Sequence, residues 1–292
     1  KYNSPIFGQS LMTNYYEWLD IQNGVKATSP LLVSGQGYIR NIHDLADWVH
    51  SDFSYQGFLN AALILMGMGA QRDTHPYSSS VTQGAFITFG GPHILEMVAK
   101  AAYAVVKAAW FQKWQVHRAL RPEVLAGRVH NHMTGAAQYP IHGSLLDSGA
   151  VARIYSANST YLLPMAYPEG SPTHPSYPAG HAAIAGACVT MLKAFFNESY
   201  VIPAPVVATD DGQFLDSYSD DALTVGGELN KLASNISLGR DYAGVHYRQD
   251  GVYGMQLGEQ VAINLLSESK ALFNESGVSF TLTKFDGTSI TF

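Results

Sequence analysis

Ser171-Pro172-Thr173-His174-Pro175-Ser176-Tyr177-Pro178-Ala179-Gly180-His181 runs straight into the apolar, alanine-rich stretch Ala182–Phe196. Prolines at 172, 175 and 178 hold the approach extended, and Gly180 lets backbone come close to a ligand. Helix-compatible apolar spacing begins at Gly180 and continues to Phe196. A helix starting here points free N–H groups outward, which makes an anion site. His181 then stands at that anion as a proton donor or acceptor. A lone histidine at a helix start is more often a cap or a surface residue, so the junction needs partners elsewhere in the chain.

Outward from it, helix-compatible spacing recurs near Tyr38–His50, Tyr55–Gly67, Ile94–Leu120, Leu229–Leu238 and Gln249–Phe273. Loops rich in Gly, Pro and Ser separate these stretches, notably Asp73–Thr82, Arg128–Asp147 and Tyr167–Ala179. The expectation is a mainly α protein, with 1–292 forming a single helix-rich domain. The last stretch, Val278–Phe292, differs. Phe280 and Leu282, then Ile290 and Phe292, fall two apart around Asp286-Gly287, which predicts a C-terminal β-hairpin serving as a structural edge.

At 292 residues, 47% hydrophobic and 14% charged, the chain has the composition of a compact protein. A formal charge of −6 gives no general attraction to nucleic acid, so any anion site must be built locally. The one cysteine, Cys188, excludes an internal disulfide framework and Cys-rich metal sites, and reads as core. The longest apolar runs, Leu59–Met68 and Ala182–Met191, fall short of the roughly 18 residues of a membrane span, the pattern of a soluble or at most peripheral protein. A start at Lys1 without a signal-like segment reads as a processed or truncated product. Asn158, Asn197, Asn235 and Asn274 open Asn-x-Ser/Thr triplets that are too common to carry weight.

Two further segments carry acid–base and anion-binding groups. In the first, Lys113 and Arg121 are separated by seven residues and Pro122 follows. On a continuous helix the two cations lie within about 80° around the axis, and Pro122 ends the helix near Arg121, freeing its guanidinium to turn inward. Basic residues near a helix C-terminus ordinarily serve the helix dipole. In the second, Gly239-Arg240 precedes Gly244, His246, Arg248 and Asp250. Gly244 interrupts the helix, so Arg240 and His246 come from two elements. Asp250, four residues after His246, can meet its ring on one helix face, fixing the tautomer and making the other nitrogen a better ligand. Alone this segment could equally be a surface Arg-Asp-Arg cluster. Together the three segments supply Lys113, Arg121 and Arg240, a helix N-terminus and two histidines, which suits phosphate and vanadate alike. His130 and His132 read as surface loop residues rather than a metal pair, and His117 as packing or support for Lys113.

The order of these motifs (Lys113, Arg121-Pro122; Pro178-x-Gly180-His181; Gly239-Arg240, His246, Asp250) resembles the vanadium-dependent haloperoxidases, which share a site plan with bacterial non-specific acid phosphatases and type 2 phosphatidic acid phosphatases. The phosphatases and fungal chloroperoxidases are one residue shorter between the lysine and the arginine. The phosphatases are also one shorter between the last histidine and the aspartate. Both spacings here resemble the algal and cyanobacterial bromoperoxidase branch. Phe111–Glu123, Ser171–Ala182 and Gly239–Asp250 look especially like the red-algal enzymes, and the likeness runs along nearly the whole chain. Those enzymes are roughly twice as long, so the chain corresponds to their C-terminal half, with the N-terminal half either a separate chain or lacking in a naturally short relative.

The resemblance implies a helical bundle that binds vanadate, with phosphate as an analogue, and oxidises bromide or iodide with hydrogen peroxide to hypohalous acid that halogenates small organic substrates. It implies that His246 is the axial vanadium ligand, supported by Asp250, while Lys113, Arg121, Arg240 and the Gly180 N–H neutralise oxygens. His181 is then the general acid–base for peroxide, Lys113 polarises the bound peroxide, and His174 favours bromide and iodide over chloride. The family normally has serine before Gly180-His181 where this chain has Ala179. One lost neutral hydrogen bond costs ~0.5–1.5 kcal/mol, so weaker vanadate binding or altered halide reactivity is expected. The family also implies a homo-oligomer, a dimer or larger shell, whose partner chains cover apolar faces, and a secreted or cell-envelope location. The competing readings are a phosphomonoesterase with His246 as nucleophile and His181 as acid, and a non-catalytic oxyanion-binding assembly subunit.

Overall fold

Alanine and glycine let helices approach closely, and the alanine-rich run does so at the centre of the fold. The structure is a computed structural model that describes residues 1–6, 8–32 and 35–292. Helix α8 (Gly180–Lys193) is buried at every residue from Ala182 to Lys193. Around it pack α4 (Gly91–Phe111), α9 (Val225–Tyr242) and α10 (Arg248–Lys270), with α2 (Ile42–Ser51) laid on α9 and α3 (Gln56–Gly67) on α4. The α8–α10 contact is backbone against backbone. A Cβ on Gly186 would run into the Met255 carbonyl, and one on Gly258 into the Ala183 carbonyl. Cys188 is free and buried here.

The helix expected over Ile94–Leu120 is not continuous. After α4 the chain winds more loosely, as a π-helical segment from Gln112 to His117. Arg118 then adopts a left-handed conformation, φ 48°, and Arg121 is extended (φ −70°, ψ 151°) as the cap of α5 (Pro122–Met133), with Pro122 in the first turn. Lys113 and Arg121 therefore belong to different elements, and the proline opens the next helix instead of closing the last. His130 and His132 lie on α5, not in a loop. The Nδ1 of His130 accepts from the Tyr161 N–H and that of His132 from the Tyr139 N–H, both at 3.2 Å.

The stretch expected as loop over Arg128–Asp147 also contains α6 (Gly143–Leu146). Two more helices were not expected: α1 (Tyr15–Gln22), capped by Asn14, and α7 (Gly149–Asn158), capped by Ser148. Nor was a short antiparallel pair, β1 (Val206–Ala208) with β2 (Leu215–Ser217). The C-terminal hairpin forms as expected, β3 (Thr281–Thr283) against β4 (Ser289–Thr291), with Leu282 opposite Ile290. Phe280 and Leu282 pack into the main core, and the buried Lys193 donates to the Thr283 carbonyl at 2.9 Å. Among the described residues no helix is long and apolar enough to cross a membrane.

Candidate active site

The ends of four elements converge on a cavity of about 540 Å3 whose wall includes Trp110, His174, Gly180, His181, Arg240 and His246. Helix α8 presents its first turn there, with Ala179 as a cap that makes no side-chain hydrogen bond. The last turn of α9 delivers Arg240. Gly244, at φ 82°, then turns the chain so that His246 precedes α10. The extended segment ending at Pro178 brings in His174, with Trp110 of α4 4.6 Å from its ring.

His246 is held at both nitrogens. Its Nδ1 lies 3.1 Å from Asp250 Oδ2, and Arg121 Nη1 donates to its Nε2 at 3.1 Å. A carboxylate takes a proton and a guanidinium gives one, so the partners assign the neutral tautomer with hydrogen on Nδ1. The pKa argument agrees: burial, then Arg121 and Lys113, hold the imidazole well below its ordinary range. Asp250 is fixed by the Ser176 hydroxyl and the Tyr247 N–H. Burial raises its carboxyl above the usual value against those donors.

The three cations differ in how they are used. Lys113 is fully buried and donates to the carbonyls of Pro175 and Ser176 at 2.6 and 2.9 Å. Burial, with Arg121 and Arg240 nearby, lowers its ammonium to about 7. Arg121 spans the site, giving Nε to the His174 carbonyl, Nη1 to the Val245 carbonyl and Nη2 to His174 Nδ1. Burial and Arg240 lower it to about 10. Arg240 donates Nη1 to the Val49 carbonyl and the Tyr167 hydroxyl, each at 3.0 Å, while its buried Nε has no partner among the described residues. An unpaired buried donor costs ~1–3 kcal/mol unless a ligand accepts from it.

Two more histidines complete the wall. His181 Nε2 sits 2.9 Å from Asp52 Oδ1, leaving Nδ1 to exchange a proton. Burial lowers its pKa, against the hydrogen bond to Asp52. His174 is lowered to about 4 by burial, Lys113 and Arg121, so it is neutral at physiological pH.

Each residue to which the family resemblance gives a role falls in this cluster. Gly180, His181, His174, Arg240 and His246 line the cavity, Ala179 is buried at the helix cap, and Lys113, Arg121 and Asp250 stand behind the wall. Sequence reasoning missed Asp52, Ser176 and Tyr167, which act through other side chains across more than 70 positions of chain. No local spacing signals such partners. His117, expected as packing or support for Lys113, is exposed and meets Tyr177 edge-on at 4.6 Å.

Fold and site together define a helical-bundle protein with a buried cationic cradle at a helix N-terminus. The model of the second helical-bundle domain of VCPO matches residues 93–275. The chain is 39% identical to the vanadium-dependent bromoperoxidase of Corallina pilulifera over 97% of this chain and 51% of that one. For the bromoperoxidase of Ascophyllum nodosum the figures are 38%, 94% and 52%. The homohexameric structure of the second vanadate-dependent bromoperoxidase from Ascophyllum nodosum superposes with a TM-score of 0.90 at 32% identity, covering 100% of this chain and 55% of that one. The chain belongs to the vanadium haloperoxidase family. It spans about half the length of the curated relatives it matches.

Proposed function

We propose that residues 1–292 act as one vanadate-binding unit that oxidises bromide or iodide with hydrogen peroxide to hypohalous acid, which halogenates small organic molecules. The observation that carries this reading is His246: a neutral imidazole, its Nδ1–H bound to Asp250, its Nε2 in the cavity wall beside the N-terminus of α8 and the unpaired Arg240 Nε. An oxyanion bonded by His246 fits this donor set, because Arg240 Nε and the first N–H groups of α8 await an acceptor. The preference for vanadate over phosphate is supported by the likeness to proteins named vanadium-dependent bromoperoxidases.

When bound, vanadate supplies a Lewis-acidic centre that activates peroxide without changing its own oxidation state. The chain's residues do the rest. His246 Nε2 must give up the hydrogen bond from Arg121 Nη1 to bond anything else, while Arg121 keeps its Val245 and His174 partners. Arg121, Arg240, Lys113 and the Gly180 N–H neutralise charge on oxygen. His181 Nδ1 takes the proton of incoming peroxide, with Asp52 steadying the imidazolium. Lys113 polarises the oxidant, and neutral His174 beside Trp110 favours bromide and iodide at the wall. Copies of the chain assemble into a homo-oligomer, as the homohexameric relative does.

The test is bromination of monochlorodimedone with peroxide and bromide, with and without added vanadate. Vanadate-dependent bromination supports the proposal. Hydrolysis of a chromogenic phosphate ester that vanadate inhibits would replace it with a phosphatase. Vanadate binding without either activity would make the chain an assembly subunit. Lys113→Ala should lower bromination far more than thermal stability, and equal loss of both would remove its catalytic role.

A further inference from the structure

A second cavity of about 840 Å3 adjoins the first and shares Glu169, Pro172 and His174 with it. The partition is thin. Arg121 lines the second cavity, and the same guanidinium touches His246 and His174 at 3.1 Å. A molecule held there sits one side chain from the cradle. The volume suits a small-molecule site, in which apolar area is combined with a few fixed polar groups. Trp114, Leu120 and Val124 supply apolar lining, and Trp114 is 41% exposed.

The cavity wall carries two guanidinium groups, Arg118 and Arg121, and two carboxylates, Glu123 and Glu169, and both carboxylates already have partners. Glu123 is engaged by the Gln22 amide and the Ser171 N–H, and Glu169 by His50. Arg118 is exposed, with Nε fixed on the Trp114 carbonyl at 2.9 Å and no acceptor for its Nη groups among the described residues. The left-handed turn at Arg118, φ 48°, sets this guanidinium one turn from the indole on the same wall.

We infer that this cavity is an acceptor subsite for an electron-rich aromatic acid, a phenol bearing a carboxylate, with its ring on Trp114 and its carboxylate on Arg118. The inference rests on the halide-oxidation reading, because only an electrophilic halogen makes an electron-rich ring the fitting partner. In the transfer, a ring carbon beside the hydroxyl forms a bond to the bromine of hypobromous acid. The Br–O bond breaks with its electron pair on oxygen, and the proton leaving the ring joins that oxygen as water.

The probe is 4-hydroxybenzoate. Titrated into the chain without vanadate or peroxide, it should quench tryptophan fluorescence saturably. Arg118→Gly, which the left-handed backbone accepts, should weaken binding about tenfold or more, as loss of a charged hydrogen bond does. Arg118→Lys should restore most of it. With vanadate, peroxide and bromide, and with monochlorodimedone competing, the wild-type chain should direct more bromine to 4-hydroxybenzoate than added hypobromous acid does. Arg118→Gly should return that partition to the value of the free reagent. Absence of saturable binding, or a wild-type partition equal to the reagent's, would overturn the subsite. Saturable, Arg118-dependent binding with no bromination of either acceptor would support the aromatic-acid site and overturn the halide-oxidation reading.

Discussion

Ala179 caps α8 without a hydroxyl, so the first N–H groups of the central helix lack the acceptor a serine would supply. Those N–H groups are half of the cradle. In Ala179→Ser the new hydroxyl can donate to an oxyanion, and one neutral hydrogen bond is worth ~0.5–1.5 kcal/mol. Vanadate should bind about threefold to tenfold more tightly, measured by equilibrium dialysis; unchanged or weaker binding would mean that the hydroxyl turns back to cap the helix. Asp250 acts on the opposite side. Its Oδ2 receives the His246 Nδ1–H, the Ser176 hydroxyl and the Tyr247 N–H. Asp250→Asn replaces one acceptor oxygen by a donor and disturbs the His246 tautomer. Losses of such supporting partners lower metal affinity about 10- to 100-fold, and that loss should be read at a temperature where circular dichroism finds the variant folded. An affinity within twofold of wild type would leave Asp250 a purely structural role.

Among the elements, α8 and α10 set the cradle because their backbones touch. Gly254 faces the Ala179 carbonyl, where a Cβ would come within 2.9 Å, and Gly258 faces the Ala183 carbonyl further along. Overpacking costs ~1–3 kcal/mol, so Gly254→Ala and Gly258→Ala should both lower the melting temperature. Only Gly254→Ala, one turn from the cradle, should also weaken vanadate binding. Equal weakening by both would mean that the α8–α10 contact transmits strain along its whole length. The elements legible in the sequence were those that pack into the main core: α2, α3, α4, α8, α9, α10 and the hairpin around Gly287. The contact between His246 and Asp250 was legible from their spacing, but not its geometry: His246 precedes α10 and Asp250 lies in its first turn, so the pair meets across the helix start and not along one helix face. Helix α1 buries no residue fully and α7 only Val151, so neither leaves a strong periodicity. The π-helical winding from Gln112 to His117 is invisible because its residues keep helical spacing while each hydrogen bond spans one more. That winding and the turn at Arg118 accommodate the seven residues between Lys113 and Arg121, letting both reach one site from different elements. The anchors of the cradle, Val49 and Tyr167 for Arg240 and Asp52 for His181, are chosen by packing and could not be read from spacing.

Across the whole molecule, large apolar side chains such as Tyr103, Phe111 and Val116 are exposed along α4 and its π-helical extension. Light scattering should accordingly give a mass that is a multiple of 31.7 kDa, and a monomer at tens of micromolar would count against assembly through these faces. Stability of the molecule should also depend on acidity through a group remote from the cradle. Asp73 lies where the segment before α4 meets the end of α8, its N–H bonded to the Phe195 carbonyl at 3.1 Å. Burial first, and the Glu198 carboxylate second, raise its carboxyl from 3.8 to about 6. Between those values the folded chain holds a proton that the unfolded chain has lost, so stability falls as pH rises through the window. The contribution is fully present below 3.8 and gone above about 6. Asp73→Asn is neutral at every pH and removes this dependence. Urea unfolding should therefore find the variant more stable than the wild type at pH 7, with the difference shrinking towards zero near pH 4. A variant less stable at pH 7 would mean that the charged carboxylate is itself a favourable partner in the fold.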